Sequence, residues 1–205
     1  MQTDFNSINQ VFSTIVNRRS VRNFSDKDVS AEDVDKILHA ANLAPSAHNQ
    51  QSWRFIVIRG DMKKQLAAFV SSCASDFPKP SSTLLRMASR SIISAPAVIA
   101  VANTAELIEH GTGLFSIDKD KAYDFFRTME IQSSAAAVEN MLLAATSLGI
   151  ASVWLGILYL VKDDVLEFLG EKKGEFMAVI PIGYPDTLNK GPKKRSLEKI
   201  VKQLD

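Results

Sequence analysis

Apolar residues at intervals of three and four mark helices along much of the chain, and short apolar runs between them mark strands. Ile8, Val11, Phe12, Ile15 and Val16 predict a first helix from about Ser7, which delivers Arg18-Arg19-Ser20-Val21-Arg22 at its end. Ser30-Ala31-Glu32-Asp33 reads as a helix start with Ser30 as cap, continued by the stripe Val34, Ile37, Leu38 and Ala41. The polar loop Ala44-Pro45-Ser46-Ala47-His48-Asn49-Gln50-Gln51-Ser52 then leads to Arg54 through Arg59, which predicts a strand buried on both faces and closed by Gly60-Asp61. Helices follow around Leu66, Phe69, Val70 and Cys73 and, after a loop with Pro78 and Pro80, around Leu84, Leu85, Met87 and Ala88. Pro96 to Ala102 predicts a second central strand, its proline at the first position where a missing donor is tolerated.

From Asn103 to Lys119 the periodicity fails and two glycines, Gly111 and Gly113, intervene. A long irregular loop of this kind is either a lid over a binding site or a mobile surface loop. Asp120 to Leu148 predicts a long central helix, with Ile131, Ala135, Val138, Leu142 and Ala145 on one stripe, Ser133 to Ala137 small enough for close approach of another backbone, and Gly149 as its natural end. Ala151 to Gly156 predicts a short strand ending in Trp154-Leu155-Gly156, Lys162 to Leu169 a helix, and Phe176 to Pro185 a third core strand and turn. Because several helices are consecutive, this order predicts an α+β fold of three layers rather than a doubly wound sheet.

Composition narrows the class. The 205 residues are 46% hydrophobic and 23% charged, with no low-complexity break, which suits one domain over 1–205. A net charge of +1 gives no general attraction to nucleic acid or anionic membrane, so any basic site is local. The single cysteine, Cys73, cannot close an internal disulfide, Met1-Gln2-Thr3-Asp4 does not read as a secretory leader, and no run approaches the ~18 apolar residues of a membrane span; a cytoplasmic protein is the expectation.

Several chemistries lack their signatures. Gly111-Thr112-Gly113 has no third glycine and no strand–helix start, and neither a Walker loop, a nucleophile elbow nor an HExxH pair is present. His39, His48 and His110 with one cysteine show no metal-ligand spacing. Asp163-Asp164 suits a helix start more than acid–base work.

Three polar stations remain. Arg18 and Arg19 either complement the dipole at a helix C-terminus or, with Ser20 and Arg22, make a guanidinium fork for a phosphate. If Val21 points to the core, Ser20 and Arg22 share the other side. Asn49, Gln50 and Gln51 either satisfy their own loop or present donors and acceptors to a flat, polar-edged ring. Lys193-Lys194-Arg195 is a late basic cluster followed by the apolar edge Leu197, Ile200 and Val201, which can dock on another surface. A ligand with a doubly charged phosphate, a flat ring and an amide-like edge would use all three stations together with Trp154-Leu155-Gly156, and FMN meets that description. His48 reads as an exposed loop histidine rather than a proton donor.

The ordered set Arg18-Arg19-Ser20-Val21-Arg22, Ala44-Pro45-Ser46 with Asn49, Gln51, Trp53 and Phe55, Leu148-Gly149 to Gly156, and Lys193 with Arg195 resembles the FMN-dependent nitroreductase family from about Ile8 to Ile200. The resemblance implies a three-layer α-β-α fold with a mixed, mostly antiparallel sheet and a homodimer holding two FMN molecules in its interface. It also implies NADH or NADPH as donor and ping-pong turnover on nitroaromatics, quinones or similar acceptors. By position it gives the phosphate and ribityl end to Arg18, Arg19, Ser20 and Arg22, helped by Lys193 and Arg195. Pro45, Ser46 and Asn49 would contact the flavin bound mainly by the partner subunit, with Gln51 close by, while Trp154, Leu155 and Gly156 border the ring. A cation near one ring edge, from Arg22, Arg19 or the tail, would favour the reduced flavin, and no protein acid or base is required. Two departures stand out: Ser52 replaces the family's usual proline, and Phe115, Tyr123 and Phe126 in the lid match no known substrate pattern. The alternatives are a flavin storage or sensor protein without turnover, and a specialised member acting on its own flavin or on a halogenated aromatic.

Overall fold

The structure is a computed structural model that describes residues 9–171, 173–187 and 191–204; Ser7 and Ile8, which open the predicted first helix, lie outside them. Helix α1 spans Gln10–Asn17 and is capped by Asn9, whose Oδ1 accepts from the Phe12 amide at 3.1 Å. Helix α2, Ala31–Asn42, begins as its sequence predicts, with Ser30 Oγ accepting from the Asp33 amide at 3.0 Å. Strand β1 (Trp53–Ile58) leads to helices α3 (Gly60–Cys73) and α4 (Ser81–Ser94), then to strand β2 (Ala97–Asn103). Helix α5 (Glu106–Leu114) and the long α6 (Lys119–Ser147) precede β3 (Ala151–Ser152), a 3-10 turn over Gly156–Val161, α7 (Lys162–Leu169) and β4 (Phe176–Gly183). A last 3-10 turn covers Leu197–Lys199. Among the described residues no helix is long and apolar enough to cross a membrane.

The four strands pair antiparallel in the order β1-β2-β4-β3. Every residue of β2 is buried, and its alternation divides the core. Val98, Ala100 and Ala102 face α3, α4 and α7; Ala97, Ile99 and Val101 face α2 and α6. This is the expected three-layer α+β arrangement. A parallel bridge between Ser20 and Ser152 adds the one parallel contact among the described residues.

Three expectations are corrected. First, β1 is an edge strand that pairs with β2 alone, and Val57 on it is 41% exposed, so it is not buried on both faces. Its apolar run resembles a central strand because one face still packs on the core. Second, Ala151 to Gly156 is strand only over Ala151–Ser152. The chain stays beside β4 through bonds from the Val153 amide to Pro181 and from the Leu155 amide to Val179, but Pro181 has no amide hydrogen with which to complete the ladder. Third, the stretch from Asn103 to Lys119 is not an irregular loop: it contains α5.

Helix α5 escapes detection because its cap is not local. Ala105, at φ 63°, stands at the N-cap and offers no side-chain acceptor. The acceptor comes instead from α6, where buried Glu130 takes a hydrogen bond from the Leu107 amide at 2.9 Å. Gly111 is also not a loop glycine. A Cβ there would sit 2.4 Å from the Phe126 ring, so glycine is what lets α5 lie against α6.

Burial pushes the Glu130 carboxyl above its ordinary 4.5, outweighing the hydrogen bond from the Leu107 amide that favours the charged form. A carboxyl whose pKa rises on folding holds more protons in the native state, so its contribution is undiminished below that ordinary value and declines as pH climbs through the raised one. Glu130→Gln keeps the acceptor for Leu107 and removes the charge. Melting curves should therefore show the parent losing stability relative to E130Q as the pH rises above the ordinary carboxylate range; parallel pH profiles would mean that Glu130 ionises as freely in the fold as outside it.

Candidate functional site

The arginine station is pinned to the sheet edge. The Val21 amide donates to the Ser152 carbonyl at 3.0 Å, and Val21 packs on the core. Ser20 and Arg22 are accordingly exposed on the other side, as the alternation requires. The helix-end reading describes Arg19. Arg19 donates through Nη1 to the carbonyls of Val16 and Arg18, which satisfies the end of α1. Arg18 and Arg22 have no side-chain hydrogen bond or ion pair among the described residues, so their guanidiniums are available.

The tail and the aromatic-glycine segment converge on the same place. Gly191 lies so close to Arg19 that a Cβ there would meet Nε at 2.6 Å, and Lys193 and Arg195 follow it, exposed. Ser152, two residues before Trp154, is buried and its Oγ has no partner among the described residues. Trp154 is half-buried against the α2–α6 side of the core, Leu155 is buried, and Gly156 is exposed with nothing within 4 Å of where a side chain would start. The amides of Gly156 and Ile157 open the 3-10 turn without an intrahelical acceptor. Free guanidiniums, an orphaned buried hydroxyl and open space beside a glycine suit an anionic ligand that carries a flat ring.

The amide loop lies elsewhere. Its anchors are the Ala47 amide to Ser133 Oγ on α6 at 3.1 Å, and Trp53 Nε1 to Asn42 Oδ1 on α2 at 3.0 Å. Within it the Gln51 amide donates to Ser46 Oγ, and Gln51 Nε2 donates to the Asn49 carbonyl and to Asn49 Oδ1. That self-satisfaction is partial: Asn49 Nδ2 and Gln51 Oε1 keep a donor–acceptor edge with no partner among the described residues. Pro45, Asn49 and His48 are exposed. His48, Asn49 and Gln51 adopt φ of 54°, 54° and 53°, a left-handed conformation that costs a non-glycine residue about 1–3 kcal/mol each and concentrates at functional sites.

Register shows how far apart these stations are. The loop enters β1 at Trp53, opposite Asn103, whereas the arginine station is bridged to Ser152, opposite Ile182, which in turn faces Ala97. They occupy diagonal corners of the sheet. Six residues along β2 at ~3.4 Å each and three strand spacings of ~4.8 Å put them about 25 Å apart, beyond the reach of one mononucleotide within a single chain.

Two buried groups near the amide loop were not singled out from the sequence. Ser134 Oγ donates to Asn103 Oδ1, and Glu130 holds the start of α5 through the Leu107 amide. Glu130 is legible in retrospect as an acid four residues after buried Phe126 and four before buried Ser134, on the apolar stripe of α6.

Comparison with known proteins adds an independent line. The pattern described as Nitroreductase family matches residues 15–184. The chain is 35% identical over 178 residues to an Archaeoglobus fulgidus protein named "Putative NADH dehydrogenase/NAD(P)H nitroreductase", covering 83% of each chain. Among solved structures it resembles a BluB-like flavoprotein from Clostridium difficile, with a TM-score of 0.74 and 27% identity over 96% of this chain and 100% of that one. It also resembles a "putative nitroreductase in complex with fmn" from Desulfovibrio desulfuricans, with a TM-score of 0.72 and 28% identity over 96% and 98%. With a family match over most of its length and a relative of this similarity, the chain belongs to the nitroreductase family.

Proposed function

We propose that this protein is an FMN-dependent oxidoreductase that takes electrons from NADH or NADPH and passes them to nitroaromatic, quinone or similar acceptors by a ping-pong mechanism, as a homodimer with FMN at the subunit interface. The observation that carries the reading is the diagonal placement of the stations. An arginine clamp beside a ring-bordering glycine and a strained amide edge about 25 Å away serve one ligand only if a second copy brings its loop to the first copy's clamp. Further support comes from apolar surface that a second copy would cover. No residue of α1 is buried, Val11 is 63% and Ile15 50% exposed, and Leu197, Ile200, Val201 and Leu204 stand open in the tail. The FMN complex of the Desulfovibrio relative and the name "FMN reductase (NADPH)" of a Bacillus subtilis relative favour this cofactor and donor.

In this reading Arg18, Arg22 and Ser20 grip the phosphate, joined by Lys193 and Arg195 from the tail. Arg19 holds the turn in shape by occupying the carbonyls of Val16 and Arg18. Ser152 Oγ gains a partner from the ligand, and the Gly156 and Ile157 amides face the ring edge. Trp154 and Leu155 exclude water from one side. Pro45, Ser46, Asn49 and Gln51 of the partner subunit close the other edge. FMN bound there supplies the redox chemistry, hydride uptake from the nicotinamide and electron delivery to the acceptor in alternating half-reactions. The chain's task is position and field, and solvent can supply protons.

The purified protein should be yellow, its flavin bands bleached by NADH or NADPH and restored by a nitroaromatic or quinone; a flavin that neither nicotinamide bleaches would refute the enzymatic reading. Replacing both Arg18 and Arg22 by alanine should weaken FMN retention at least about a hundredfold, because each guanidinium contributes a charge-assisted bond of ~1.5–3 kcal/mol. Equilibrium dialysis measures this, and unchanged retention would remove the clamp from the account. Ile15→Glu places a charge on the open face of α1, where a single chain should tolerate it. Sedimentation should then show monomers with little bound flavin, and an unaltered dimer would place the interface elsewhere.

A further inference from the structure

A second group of cations lies on the same edge of the sheet, outside the stations described above. Glu175, just before β4, accepts from Arg127 Nη2 on α6 at 2.5 Å and from the Tyr159 hydroxyl at 3.3 Å, with Lys162 Nζ at 3.9 Å. Two cations thus share one carboxylate, leaving net positive charge. Arg127 has five N–H donors, and the Glu175 contact employs one nitrogen. Lys162 hovers 4.9 Å from the Tyr159 ring centroid and donates no hydrogen bond among the described residues.

Local helix stability does not account for Lys162. It is the first residue of α7, where the helix dipole disfavours a cation. Asp163 and Asp164 suit that dipole, and at one and two residues on they do not share the face of Lys162.

Placement gives the group its meaning. The arginine clamp lies level with Ile182 on β4, and the Leu155 amide bonds to Val179. Glu175 is four residues further back along the same strand, about 14 Å from Val179 at ~3.4 Å per residue. Tyr159 follows Gly156 by three residues in the 3-10 turn, so the two stack on one face of it. Clamp, ring border and second cation group therefore fall in that order along one sheet edge.

We infer that Arg127 and Lys162, framed by Tyr159 and steadied by Glu175, form a second anion site that receives the carboxylate or phosphate of the molecule exchanging electrons at the ring border. The inference rests on the function proposed above. The clamp side is taken by the phosphate of the cofactor, so a substrate stacked at Gly156 extends the other way, toward this pair. Glu175 holds Arg127 from behind, through Nη2, and leaves its other donors to a visiting anion. The tyrosine ring and hydroxyl make the site favourable to an aromatic acid. The same chemistry also fits the phosphates of the nicotinamide dinucleotide.

The test compares 4-nitrobenzoate with nitrobenzene as acceptors for the flavin-loaded protein, in the parent, in Lys162→Ala and Arg127→Gln, and in Lys64→Ala as a control at an exposed lysine on α3. The ratio of KM for the anionic acceptor to KM for the neutral one should rise roughly twofold to fivefold in the first two variants and stay fixed in the control. A rise in the KM for NADH or NADPH, with the acceptor ratio unchanged, assigns the anion to the dinucleotide and still supports the site. No change in any of these overturns it. Dialysis of 4-nitrobenzoate and of NADPH against the parent and the two variants reads binding without turnover, and equal retention of both ligands by all three likewise overturns it. The flavin spectrum is recorded on every sample. Loss of flavin from the parent would refute the proposed function, while the dialysis result would still decide the anion site.

Discussion

The rigid register of the four-stranded sheet is the constraint on which the rest of this protein depends. Buried β2 and β4 hold each other over most of their length, and whatever is tied to their ends stays where the register puts it. The arginine turn is tied at one corner through Val21 and Ser152, and the amide loop at the opposite corner through Trp53 and Asn103. Neither station can drift toward the other without breaking the core. In the proposed function, a binding site that needs both is completed by a second copy of the chain.

A second dependence runs through α6. The same helix supplies the acceptor for the start of α5, the hydroxyl that anchors the amide loop, and the arginine that grips Glu175. Glu130, Ser133 and Arg127 all lie within two turns of one another on it. Polar groups on a buried helix are costly unless paired, and here each is paired with a different neighbouring element. The helix therefore acts as a common backing for the segments around the site, and its small residues keep those segments close.

Much of this was open to reading from the chain alone. The stripe on α6, the Ser30 cap of α2 and the proline-led strand at Ala97 carry their signals locally, because spacing and capping chemistry act within a few residues. Val21 between Ser20 and Arg22 likewise announced which side chains would face outward. Helix α5 did not, because its capping carboxylate sits on α6 and its glycine answers to Phe126 rather than to a turn. The edge position of β1 was equally silent, since one buried face produces nearly the same apolar run as two.

By itself the amino-acid order determined the layered α+β class, most of the elements and the residue types that could meet a phosphate and a flat ring. Only the tertiary structure decided that Arg19 serves its own helix while Arg18 and Arg22 have no side-chain partner among the described residues, that the amide loop lies a sheet diagonal away from them, and that Arg127 and Lys162 meet over Glu175. The reason is physical. Periodicity and caps are short-range properties of a chain, whereas which charges find partners and which remain available depends on strand register and on helices distant in sequence.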